Sequence, residues 1–264
     1  MSGERYRAAQ AIARRAGVLA RGHFDNRERL EIELKGPQDF VTRADREVEA
    51  LIRGELASAF PGDRFLGEET AASFAGPIDR CWVVDPIDGT HNFLRGVPYW
   101  NVAIAYVADG RAEVGVVFDP VTGELHHATR GGGAWCDDDG GRRRLRCAAT
   151  SDLRGAYVAL GHHDRAPDPR YLELRARMME RGVSMRNFGA AALSLAHVAR
   201  GRLDAFVELQ LSIWDAIGGV LIVEEAGGYA APFAPPSATA KAACVACAPG
   251  LRAEMEALVA APLP

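Results

Sequence analysis

The chain lacks any run of 18 consecutive apolar residues, so it offers no candidate for a membrane-spanning helix. It also lacks a surplus of basic residues. Lys and Arg number 31 against 35 Asp and Glu, a formal net charge of −4, so no strongly basic surface advertises nucleic acid or an anionic membrane. Cysteine is sparse: five in 264 residues, an odd number without regular spacing, argue against a disulfide framework and for a reducing compartment. Internal repeats and obvious linkers are missing as well, which leaves one large layered unit or two closely joined smaller ones. The N-terminal stretch ERYRAAQAIARRAGVLARGHF is Arg-rich and amphipathic, as some organelle transit peptides are. However, Tyr6, Ala9, Ile12, Ala13, Ala16, Leu19 and Ala20 fall on one helical face, as in an ordinary helix packed on a core. The expectation is a cytoplasmic protein with no nucleic-acid and no membrane partner.

What is present is an ordinary globular balance, 48% hydrophobic and 25% charged residues. After the first helix comes a Gly-Pro turn, a short extended piece, and a helix opened by Thr42 that carries Val48, Leu51, Ile52, Leu56 and Phe60. PGDRFLGEET reads as a turn and a short strand, and Cys81 to Val84 as a strand that stops there. WNVAIAYVADGRAEVGVVFDPVTGELHHATRGGGAW has β-rich runs parted by Ala-Asp-Gly and Asp-Pro-Val-Thr-Gly turns, the pattern of an antiparallel meander. AYVALG, LDAFVEL and ACVACA are further strands. YLELRARMMERG, GAAALSLAHVARG and WDAIGGVLIVEEAGG are helices with glycine stops, and a last helix runs from about Leu251 to Val259. The class is layered α/β or α+β with a mixed or antiparallel sheet.

The chemistry concentrates in CWVVDPIDGTHNF, where an apolar strand runs into two carboxylates, Asp85 and Asp88. A plain turn needs one Asp or Asn and a Gly, not two acids. Pro86 has no N–H to donate to a ladder, so the chain is expected to turn after Asp85 and to present both acids beyond the sheet edge. The Gly89-Thr90 amides can open a helix whose N–H groups face an anion. Acids beside an anion site make sense with a cation between them, and hard cations such as Mg²⁺ take oxygen ligands and substrate phosphate. Glu68, at a strand end in GEE, and Asp215, opening a helix in WD, are two further acids at element ends.

GEE, WVVDPIDGTHNF and WDAIGGVLIVEEAGG, in this order and spacing, resemble the three signature blocks of the inositol monophosphatase family of lithium-sensitive, metal-dependent sugar and polyol phosphatases. KGPQDFVTRADREVE is similar to the family's first block and GVVFDPVTGELHHATRGGGAW to its central hairpin, so the likeness covers nearly the whole chain. The resemblance implies an α-β-α-β-α sandwich, usually dimeric, over residues 1–264, with two pseudo-subdomains meeting near residues 145–155. It implies a first Mg²⁺ on Glu68, Asp85 and the Ile87 carbonyl, a second on Asp85, Asp88 and Asp215, and a weaker third near Glu68. The implied reaction is in-line attack of water on a phosphomonoester. Thr90 and Glu68 orient or deprotonate the water, and the metals lower its pKa and neutralise the leaving alkoxide.

Substrate contacts implied by the family fall on Asp88, Gly89, Thr90, Gly189-Ala190-Ala191, Glu208 and Asp215; Ala190 departs from the family pattern by lacking a hydroxyl. The Asp-Cys-Tyr segment of the histidinol-phosphate branch is missing there, and the bisphosphate branches are longer. Inositol 1-phosphate is therefore the expected substrate, with histidinol phosphate or a broad range of sugar phosphates as the alternatives. Other features read as structural. Cys244 and Cys247 are strand packing, His162-His163 are loop residues, RGGGAW is a hairpin bend, DDDGGRRRLR is a solvated loop, and Glu69 points away from Glu68.

Overall fold

The computed structural model describes residues 2–29, 32–36, 39–162 and 168–260, and everything below concerns these. His163 and Pro37 lie outside them. Helix α1 (Ser2–Asp25) buries Ala9, Ile12, Ala13, Ala16 and Ala20, the expected face, with Tyr6 and Leu19 at its margins. The short pair β1 (Ile32–Gly36) and β2 (Asp39–Thr42) is antiparallel and leads into α2 (Arg43–Ala59), which buries Val48, Ile52 and Leu56.

A seven-stranded sheet follows: β3 (Arg64–Gly67), β4 (Cys81–Asp88), helix α3 (Thr90–Arg95), then β5 (Asn101–Ala108), β6 (Arg111–Asp119), β7 (Glu124–Thr129), β8 (Gly133–Asp138) and β9 (Gly141–Arg144). β3 and β4 are parallel; all later neighbours are antiparallel, the expected meander. The run DDDGGRRRLR is more ordered than a loop. Asp137 faces and pairs with Arg142 across the β8–β9 hairpin and Asp138 pairs with Arg143, the arginines exposed and the two acids largely covered.

The second half holds β10 (Tyr157–Leu160), α4 (Pro169–Glu180), β11 (Ser184–Arg186), α5 (Ala191–Ala199), β12 (Ala205–Leu211), α6 (Ile213–Glu225), β13 (Tyr229–Ala230), β14 (Ala242–Cys247) and α7 (Arg252–Ala260). Its strands form a five-stranded sheet in the order β11-β10-β12-β14-β13, parallel around β10 and antiparallel around β14. Helices α1 and α2 cover one face of the large sheet, α5 and α6 fill the space between the sheets, and α4 and α7 cover the far face of the small one. The result is the α-β-α-β-α sandwich. Glycine permits close approach between layers: a Cβ on Gly17 of α1 would strike the Phe118 ring, and one on Gly115 of β6 would strike the Gly218 carbonyl of α6.

One expectation about β4 fails. The strand does not stop at Val84 but continues through Pro86 to Asp88. Asp85 faces Ala103 and Asp88 faces Asn101, three steps on β4 against two on β5, so the proline sits in a ladder irregularity where no N–H is required.

Candidate metal centre

Three local devices deliver the four acids. Glu68 follows the end of β3, and its N–H donates to the Val84 carbonyl at 3.1 Å, which sets it beside the β4 end. Asp85 and Asp88 flank the β4 irregularity, and the Asp85 carboxylate accepts from the Ile87 N–H at 2.9 Å. Gly89 takes φ +95°, and a Cβ there would also lie 3.1 Å from both the Ala190 Cβ and the Tyr99 carbonyl, so glycine is required on two counts. Asp215 stands in the first turn of α6, accepting from the Ser212 N–H at 3.3 Å in a capping box.

Carboxylate oxygens of Asp85, Asp88 and Asp215 lie within 4.8 Å of one another. Asp85 is 2% exposed and Asp88 7%. Burial first, then the charges of Glu68, Asp215 and Asp88, hold the Asp85 carboxyl well above the usual carboxylate range. Asp88 is pushed up to about 7 by burial and by Asp215, even though three donors favour its ionised form. Those donors are Asn101 Nδ2 at 2.6 Å, the Ala192 N–H at 2.8 Å and the Ala191 N–H at 3.1 Å. Asp88 therefore caps α5 from another element, a role that Ala190, the helix's own N-cap residue, has no side-chain acceptor to fill. Several acids that cannot all ionise in one buried place form an all-oxygen donor set, and such a set suits a hard divalent cation.

The acids open into a cavity of about 300 Å³. Glu68, Asp85, Ile87, Asp88, Gly89 and Thr90 line one side of it. Gly189, Ala190 and Ala191 also line it, together with Glu208 and Asp215, so the residues expected to bind metal or substrate all face the same space. The Thr90 hydroxyl donates to the Ile87 carbonyl at 3.2 Å, which puts two of the expected functional groups in direct contact. Glu208 is half-buried on β12 opposite Cys244, and its carboxylate covers Gly161 so closely that a Cβ there would collide with it.

Sequence reasoning missed part of the wall. His162, read as a plain loop residue, lines the cavity, and its ring lies 4.3 Å from that of Tyr171. Gln210, Ser212, Thr239 and Lys241 also face it. Thr239 and Lys241 sit in a stretch without periodicity; the one available signal was that Lys241 is one of only two lysines in the chain. Glu69 is not among the lining residues, and Cys244 and Cys247 are buried free thiols in β14, as expected.

Residues 2–262 match the inositol monophosphatase family. An inositol-1-monophosphatase of Rhizobium meliloti (strain 1021) is 41% identical over 222 residues, covering 83% of this chain and 82% of that protein. The Nus factor SuhB of Escherichia coli (strain K12) is 38% identical over 227 residues, covering 85% of this chain and 84% of that protein. Among solved structures, the extragenic suppressor protein suhB of Bartonella henselae superposes with a TM-score of 0.86 at 34% identity, over 97% of this chain and 98% of that one.

Proposed function

The chain belongs to the inositol monophosphatase family, and from that premise we propose that it hydrolyses myo-inositol 1-phosphate with Mg²⁺ held by Glu68, Asp85, Asp88 and Asp215. Family membership supports a metal-dependent phosphatase acting on phosphomonoesters. The choice of a cyclic polyol as the alcohol rests on Glu208. The observation that carries the reading is the convergence of the buried acid cluster and Glu208 on one cavity.

In this reading Glu68, Asp85 and the Ile87 carbonyl would hold one ion, Asp85, Asp88 and Asp215 would hold a second, and Glu68 would help hold a weaker third. When bound, Mg²⁺ supplies Lewis acidity that makes water nucleophilic near neutral pH and offsets charge on the leaving oxygen. Thr90, anchored to Ile87, orients the attacking water with Glu68 as the acceptor of its proton. Asp88, held by its three donors, keeps its carboxylate aimed at the leaving-group side. The amides of Gly89 and Thr90 face the phosphate, and Gly189 to Ala191 with Glu208 face the polyol. A homodimer of chains that each form one domain with a subdomain boundary near residues 145–155, a cytoplasmic location and inhibition by lithium belong to the same proposal.

Phosphate release from a panel of phosphomonoesters by EDTA-stripped protein, with and without added Mg²⁺, tests it. The expected result is no release without the ion and fastest release from inositol 1-phosphate with it. Full activity in EDTA would overturn the metal assignment. A preference for histidinol phosphate would overturn the substrate alone.

A further inference from the structure

We propose that Glu49, a buried carboxylate on α2 outside the cavity, is a positioning residue for Glu68 and so for the cation Glu68 holds; this rests on the metal reading above. Glu49 is 3% exposed and shares the buried face of α2 with Ala44, Asp45, Val48 and Ile52. An acid on such a face is normally replaced by an apolar residue or paired with a cation. Here the hydrogen bonds go elsewhere. Its Oε2 accepts from the Glu69 N–H at 2.8 Å, and the nearby Thr70 side chain favours its charged form. Arg53 acts on it only through space, its guanidinium lying over the Phe65 ring at 5.6 Å.

That bond lands on the turn that carries Glu68. From the opposite side, the Glu68 N–H is bound to the Val84 carbonyl, one residue before Asp85. Glu68 is thus flanked by two anchored amides, its own tied to β4 and the next tied to α2. Two soft dihedrals separate neighbouring amides, so anchoring both leaves its Cα little freedom relative to Asp85. Gly67 belongs to the same device. Its φ is ordinary, but a Cβ there would run into the Glu49 carboxylate, so glycine is what admits the acid beneath the strand end. Neither Glu49 nor Glu69 lines the cavity, which separates this role from that of a ligand. A charged acceptor suits the task, because an ionised carboxylate accepts the N–H strongly and exposes no donor of its own.

Calorimetric titration of Mg²⁺ into stripped protein, without substrate, reads the effect directly. Glu49→Leu is expected to weaken the Glu68-dependent binding at least tenfold. Glu49→Gln, which keeps an acceptor for the Glu69 N–H, should stay within about threefold of the native value. In a Glu68→Gln background, Glu49→Leu should change Mg²⁺ binding no further, since the residue it positions is already lost. Gly67→Ala, which attacks the same contact from the other side, should reproduce the weakening, and it decides the matter alone if Glu49→Leu does not fold by circular dichroism. Equal weakening in both Glu68 backgrounds, or unchanged binding in Gly67→Ala, would overturn the inference and leave Glu49 a fold residue. If the unmodified protein binds no Mg²⁺, the metal reading itself fails, and this inference with it.

Discussion

Asn101 donates its side-chain N–H to Asp88 at 2.6 Å, and the two residues face each other across the β4–β5 ladder. Asn101 is fully buried, and its Oδ1 has no hydrogen-bond partner among the described residues, so the donor is what this amide contributes. Outer partners of metal-holding carboxylates commonly account for about 10–100-fold in affinity or activity. Asn101→Leu is accordingly expected to lower kcat/KM for phosphate release by about tenfold or more. Loss of a donor to the ionised form also raises the Asp88 pKa further, so the acid limb of the pH–rate profile should move to higher pH. An unchanged rate and profile would mean that the α5 amides alone fix Asp88.

The histidines behind the sheet set an acid limit on stability. Among the described residues, neither ring nitrogen of the fully buried His126 on β7 has a hydrogen-bond partner, and its ring lies 6.1 Å from that of His197 on α5. Arg200 and Arg202 converge on Glu124 beside them. Burial first, and then Arg202, push His197 down to about 4. A free histidine titrates near about 6.5, so between that value and the native one the unfolded chain binds a proton that the folded chain refuses. Stability must therefore fall as pH drops through this window, by on the order of 3 kcal/mol for His197 alone. Urea unfolding at pH 7.5, 6 and 5 should show the decline, and His197→Gln should flatten it. Parallel pH curves for the two proteins would sink the assignment.

Some of this was legible in the chain and some was not, for identifiable reasons. Glu68, Asp88 and Asp215 could be read because each is an acid at an element end, where turn and cap chemistry leaves a local mark, and Asp85 because a second acid three residues from Asp88 exceeds what a turn needs. The α1 face could be read because Ala9, Ile12, Ala13, Ala16 and Ala20 keep helical spacing over several turns. Pro86 misled, since the rule against proline in a strand holds for a regular ladder and this ladder is irregular at that point. The partners of Asp88 were invisible, because Ala191 and Ala192 lie more than 100 residues away in sequence. The Glu49–Glu69 bond was hidden in the same way, as a buried acid on a helix face gives no hint of which amide it reaches. Strands β11 and β13 span three and two residues, too short for any period to show.

Glu208 separates recognition of the polyol from recognition of the phosphate. It stands seven residues before Asp215, and the β12–α6 junction brings both to the same cavity. Its carboxylate is held over Gly161, where the absence of a side chain leaves room for it. A carboxylate at that position can accept from two vicinal hydroxyls of a cyclic polyol, and charge-assisted bonds of this kind contribute about 1.5–3 kcal/mol each. Glu208→Gln should therefore lower kcat/KM for inositol 1-phosphate at least tenfold, roughly 1.4 kcal/mol. A hydroxyl-poor ester such as a nitrophenyl phosphate presents no diol, so its hydrolysis should hardly change. Steady-state kinetics on the two esters at saturating Mg²⁺ decides between the outcomes. Equal losses on both would trace the defect to the metal centre, and no loss on either would take Glu208 out of substrate binding altogether.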